Sequence, residues 1–275
     1  MIKKFINKRL ESSSIIKKLY YRYSEQKKPV LIIGDGISSM YIQDILHKYE
    51  FIIAINKTIL NQNIKNCSPL YWVMMDPKFL IRTIKKEPEI WEVIRKNLKN
   101  CKNTIPIMHS VGRVFNFGKW KSINPIFFSP YHQFKLNSDE IYDHFKGAFE
   151  ASLGIALLNG FKEIHCAGFD AFLLAPKNNL RWYSKCSNPD ALDQKSSENV
   201  PIFLEKASRN SKISVFSYRH YKLKYDFLSE IKINSKNVYI PERDRSKYMS
   251  YSQLKIWEEF ENFRYPDGYI GEREF

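Results

Sequence analysis

The chain has 275 residues, 44% hydrophobic and 15% aromatic, enough to bury a full core and to exclude disorder over most of its length. Lys and Arg number 44 against 29 Asp and Glu, a net charge of +15. That balance suits a phosphorylated substrate, an anionic lipid surface or nucleic acid, and equally a generally basic surface with no special partner. No nucleic-acid motif accompanies it: there is no RNP-like aromatic segment, zinc finger or recognition-helix pair, so a nucleic-acid partner is not expected.

Cys67, Cys101, Cys166 and Cys186 are scattered, without a CxxC pair or zinc spacing. No apolar run reaches about 18 residues, and the Lys-rich start lacks the apolar segment of a secretory signal. The expectation is a cytoplasmic protein with reduced thiols, free or peripheral on the inner face of the cytoplasmic membrane.

Residues 1–28 read as a basic leader in which Lys3, Lys4, Lys8 and Arg9 alternate with Phe5, Ile6, Ile15 and Ile16. Such a segment can rest on anionic lipid, each near-surface cation contributing about 1 kcal/mol, or pack on the domain as a solvated helix. Ser12 to Ser14 interrupt its periodicity and favour the second reading. After Pro29, the run VLIIGDGISS predicts a buried strand, a glycine turn at Gly34 and Gly36, and a helix near 38–48 capped by Ser38 or Ser39. Glycines there let backbone N–H groups approach a phosphate.

Two more apolar runs follow, FIIAIN ending on Asn56 and YWVMMD ending on Asp76. Side by side in a parallel sheet, the Gly34-Asp35-Gly36 turn, Asn56 and Asp76 would line one polar crevice at the carboxyl ends of the strands. Residues 77–100 predict one or two helices, with Pro88 breaking or starting the second. TIPIMHS predicts a strand ending near His109, and the aromatic stretch 114–132 reads as an irregular wall of the core.

The centre of the chain is FKGAFEASLGIALLNGFKEIHCAGFDAF, residues 145–172. Ala148, Ala151, Ser152, Ile155, Ala156 and Leu158 recur at helical spacing and are small enough to bring a helix close to a sheet. Asn159-Gly160 stops that helix, and EIHCAGFD predicts a buried strand ending on Asp170. The insertion at 171–195 reads either as a lid, with Trp182 and Tyr183 over a base or sugar and Arg181 or Lys185 at phosphate, or as a surface loop with its aromatics tucked into the core. A helix opened by Pro201 and a strand at 213–218 complete the unit.

This alternation predicts an α/β class: a Rossmann-like, doubly wound, mostly parallel sheet with helices on both faces and a lid insertion. The organisation is a leader at 1–28, a nucleotide-binding domain at 29–240 and an aromatic, basic extension at 241–275 that could pack across the domain, touch membrane or support a homo-oligomer.

GDGIS at 34–38, AIN at 54–56, MMDP at 74–77 and GFKEIHCAGFD at 160–170, in this order, resemble the bacterial sialyltransferases of glycosyltransferase family 42. They also resemble the related motility-accessory-factor glycosyltransferases and their pterin pyrophosphokinase cousins. The resemblance implies transfer of a nonulosonate-type sugar from a CMP-sugar donor to a glycan or glycolipid hydroxyl in cell-surface glycan synthesis, without a cofactor or obligatory metal. It places Gly34, Asp35, Gly36 and Ser38 around phosphate, Asn56 near the nucleotide sugar, and Gly147, Ala148 and Phe149 against cytidine. Asp170 falls at the edge of the nucleotide site, and Trp182 or Tyr183 stands for a lid tyrosine.

Two departures matter. Phe172 stands where the family has a phosphate-directed tyrosine, and no histidine precedes IFLEK at 202–206, where the family places its general base. Asp193 or Asp190 could serve instead if burial raises its pKa, and His109, His132 or His220 could reach the site from elsewhere. Asp76 is closer to the motility-accessory and pterin-kinase branch. Two alternatives stay open: an ATP- and magnesium-dependent pyrophosphokinase with Asp76 and Asp170 as metal ligands, and a non-catalytic, membrane-recruited module.

Overall fold

Short apolar runs bounded by Gly, Asn and Pro become the strands, and the helical spacings between them become the covering layers. The computed structural model describes residues 28–67, 69–75, 88–101, 103–110, 112, 123–128, 134–135, 141–142, 147–174, 200–217 and 222–233. The strands are β1 (Val30–Ile33), β2 (Phe51–Ile55), β3 (Tyr71–Met74), β4 (Ile105–His109), β5 (Ile126–Phe128), β6 (Phe134–Lys135), β7 (Ile141–Tyr142), β8 (Glu163–Ala167), β9 (Lys212–Ser217) and β10 (Ser229–Lys232). The helices are α1 (Gln62–Asn66), α2 (Pro88–Asn100), α3 (Ala148–Leu158), α4 (Asp170–Leu173) and α5 (Val200–Asn210), with 3-10 turns at Ile37–Met40, Gln43–Lys48 and Asn56–Leu60.

Eight strands form one all-parallel sheet in the order β10-β9-β8-β1-β2-β3-β4-β5, while β6 and β7 pair antiparallel to each other. Successive side chains of a strand point to opposite faces, so each strand feeds two cores. Val30, Ile32, Ile53, Tyr71 and Val73 join the core under α3 and α5. Leu31, Ile33, Ile52, Trp72 and Met74 join the other, beneath Met40, Leu46, Ile59, Ile64, Ile94 and Leu98. Helical segments therefore cover both faces, and β1 is completely buried. The fold is the expected α/β, Rossmann-like, doubly wound sheet.

Helix α3 shows why the central stretch matters. All eleven of its residues are buried, and its apolar character on every side suits an internal helix laid across the sheet and against α5. The predicted stop holds: the buried Asn159 donates through Nδ2 to Ile155 O at 2.7 Å and accepts from Tyr71 OH at 3.2 Å, and Gly160 has φ +76°. Pro88 starts α2 rather than breaking it.

Several boundaries differ from expectation. The helix predicted near 38–48 is two 3-10 turns, and neither serine caps it: the residue ahead of the first turn is Gly36, without a side-chain cap. The hydroxyls are engaged elsewhere, Ser39 Oγ donating to Gly36 O at 2.7 Å and Ser38 Oγ accepting from Gly168 N–H at 2.6 Å. Strand β8 ends at Ala167, because Gly168 turns left-handed and Asp170 already opens α4. Within the stretch read as an irregular wall, Ile126–Phe128 pairs with β4 and buries Phe128; three residues are too few to show a strand period.

Leu173 and Leu174, the last described residues of the expected lid, are buried, and Leu174 bridges to Leu223. Residues 175–195 of that insertion, residues 1–27 of the leader and the 241–275 extension lie outside the described residues. Among the described residues no helix is long and apolar enough to cross a membrane.

Candidate functional site

The chain winds outward from β1 through β2, β3, β4 and β5, then returns to the other side of β1 as β8 and continues through β9 and β10. The winding reverses between β1 and β8, which pair from Val30 with Ile164 to Ile33 with Ala167. Beyond their carboxyl ends the two following loops meet, at the position where open α/β sheets bind ligands.

The loops meet through glycine. Gly34 N–H donates to Ala167 O at 2.8 Å and Gly36 N–H to Gly168 O at 2.9 Å. A Cβ on Gly34 would overlap Gly168 O, and one on Gly168, whose φ is +78°, would overlap Gly34 O. One on Gly36 would overlap Asp170 Oδ2. These glycines thus bring two backbones into contact, and the N–H groups expected to face phosphate at Gly34 and Gly36 are bonded within the protein.

Asp170 closes the junction. Its Oδ2 accepts the Ser38 backbone N–H at 3.1 Å, while Ser38 Oγ is fixed by Gly168 N–H. The residue is 2% exposed, and Oδ1 has no hydrogen-bond partner among the described residues. Burial pushes the carboxyl up to about 6, against the lowering by its hydrogen bonds with Ser38, and the charge of Asp35 pushes the same way as burial.

Because α3 leads into β8, its first turn lies on this same edge. Phe149 packs on Phe169 with ring centroids 4.3 Å apart, joining the start of α3 to the loop that carries Asp170. Gly147 precedes the helix and Glu150, three residues on, is buried with its Oε2 folded back against Gly147. Glu150 thus holds the third helical position, the acidic half of capping-box spacing without its serine, a signal legible in GAFE. One strand over, Asn56 adopts φ 49°, accepts the Trp72 indole N–H at 2.7 Å through its carbonyl, and keeps a buried Oδ1 without a partner among the described residues.

Of the expected site residues, the structure gathers Gly34, Asp35, Gly36, Ser38, Gly147, Ala148, Phe149 and Asp170 at the switch point, with Asn56 beside them. His109 ends β4, three strands from β1, roughly 14 Å away at ordinary strand spacing. Asp76, Trp182, Tyr183, Asp190 and Asp193, with the phosphate-directed Arg181 and Lys185, lie outside the described residues. Among the described residues, no three His, Cys, Asp or Glu side chains gather as a metal site.

A second polar cluster sits toward the amino edge of the sheet. Tyr49 OH lies 2.6 Å from His165 Nδ1, whose Nε2 lies 3.1 Å from Glu163 Oε1, itself 3.6 Å from Lys212 Nζ. Burial pushes the Tyr49 phenol up to about 12, the opposite of what an activated nucleophile needs. The cluster fastens the start of β2 to β8 and β9.

No family model, curated protein or solved structure matches the chain at a significant level.

Proposed function

We propose that the protein is a nucleotide-dependent glycosyltransferase that takes a CMP-activated nonulosonate-type sugar and transfers it to a hydroxyl of a glycan or glycolipid acceptor. The observation that carries the nucleotide part is the convergence of the Gly34–Ser38 turn, Asp170 and the first turn of α3 at the β1/β8 switch point. The motif order GDGIS, AIN and GFKEIHCAGFD supports CMP and the nonulosonate class. In this reaction the enzyme aligns the acceptor oxygen with the anomeric carbon, accepts its proton and stabilises the departing CMP phosphate. The base falls to Asp193 or Asp190 on sequence grounds.

Thermal unfolding with CMP, UDP, GDP and ATP, each with magnesium and with EDTA, tests this. CMP at about 100 times its dissociation constant adds roughly 2.7 kcal/mol to the folded state, with or without metal. Stabilisation by ATP only with magnesium replaces the proposal by the pyrophosphokinase reading, and no response to any nucleotide overturns both.

A further inference from the structure

The phosphate-binding turn of a nucleotide site normally offers free backbone N–H groups to the anion. Here Gly34 N–H and Gly36 N–H go to Ala167 O and Gly168 O, and Ser38 N–H goes to the carboxylate of Asp170. An incoming phosphate would therefore meet an anion already seated on the turn, with Asp35 beside it and the buried Glu150 in the neighbouring helix turn.

Two anions share a buried site poorly unless one of them is protonated. Asp170 is built for that. Ser38 holds one oxygen, Gly168 N–H holds Ser38, and the other oxygen is buried without a hydrogen-bond partner among the described residues. A proton on Oδ1 would remove the charge, leave the Ser38 bond to Oδ2 intact, and turn an orphaned acceptor into a donor.

We propose that Asp170 is a proton-linked phosphate ligand: it binds the nucleotide's phosphate as a neutral carboxyl, Oδ1–H donating to a phosphate oxygen, so that binding takes up one proton from solvent. This rests on the nucleotide reading of the switch point and adds to it a specific proton requirement. Burial, which already lifts the group to about 6, makes that uptake accessible near neutral pH. Asp35 on the β1 turn pushes the same way as burial; in the neighbouring elements, Glu150 is buried in the first turn of α3 and Cys166 of β8 is a thiol that burial pushes up.

The probe is the methyl phosphodiester of cytidine 5′-monophosphate, whose single charge does not change between pH 5.5 and 8, with cytidine as the phosphate-free control. If only the neutral carboxyl accepts phosphate, affinity falls on the order of 50-fold from pH 5.5 to pH 8 while cytidine binding stays flat. Asp170→Asn binds the ester independently of pH and at least 10-fold more tightly than wild type at pH 8. On the unaltered protein, titration calorimetry at pH 7.5 in buffers of different ionisation enthalpy reads an uptake near one proton per ester bound.

A pH-independent wild type, a variant that keeps the pH dependence, or no proton uptake overturns the proposal. The adenosine methyl phosphodiester separates it from the functional reading. Proton-linked binding of the adenosine ester alone keeps the role of Asp170 and removes CMP, whereas CMP binding without proton uptake keeps the transferase and removes the role. Failure of both esters to bind at pH 5.5 overturns the proton-linked ligand outright.

Discussion

Single positions at the β1/β8 junction have little freedom, because two backbones touch there. Gly168 combines a left-handed φ of +78° with a Cβ direction blocked by Gly34 O, which is backbone and cannot swing aside. Gly168→Ala is expected to cost at least about 2 kcal/mol in urea unfolding, since the left-handed conformation alone costs roughly 1–2 kcal/mol for a residue with Cβ. At Asp170 the folded carboxyl titrates at about 6 against an ordinary 3.8. The folded state thus binds this proton more tightly than the unfolded chain does. The stabilisation is complete below 3.8 and is lost as pH rises through 6, an effect of roughly 3 kcal/mol. Unfolding midpoints of wild type and Asp170→Asn should accordingly differ by pH, the variant gaining relative to wild type between pH 4 and pH 7.5. A constant difference would mean that Asp170 titrates normally.

At the scale of elements, α3 is the piece the site depends on, because its first turn meets Phe169 and its length lies across β1, β2 and β3. Its sequence shows both properties: small residues for close approach, and Asn159-Gly160 as the stop. Ala151 is fully buried in it. Ala151→Leu adds volume where the core has none to spare and is expected to cost about 1–3 kcal/mol, read as a lower urea midpoint. The 3-10 turns were harder to read. ISSMYIQDILHK has helical spacing, yet the hydroxyls of Ser38 and Ser39 bond to Gly168 N–H and Gly36 O, and a long-range partner such as Gly168 is invisible to a local pattern. Strands β5 and β10 carry no local signal for a related reason. Each is three or four residues at a sheet edge, and pairing rather than periodicity defines them.

For the whole molecule, sheet order sets stability as well as the site. Strand β1 lies between β8 and β2 with both faces covered, whereas β5 and β10 are edges. Amide hydrogen exchange should be slowest in Val30–Ile33, Ile52–Ala54 and Ile164–Cys166 and faster in Ile126–Phe128 and Ser229–Lys232; equal protection at the edges would contradict this sheet order. The alternation of apolar strands with helical spacings was enough to establish an α/β doubly wound class, because burial on both faces of a parallel sheet produces continuous apolar runs. The same runs marked Gly34, Asn56 and Asp170 as polar stops near strand ends. What they could not convey is adjacency. That β8 returns beside β1, that Gly168 and Gly34 touch, and that Asp170, 132 residues beyond Ser38, accepts its N–H all depend on the order of strands in space. Local propensity decides which segments are strands and where they stop. Only the packed sheet decides which stops share a crevice, because that choice is made by contacts between segments far apart in the chain.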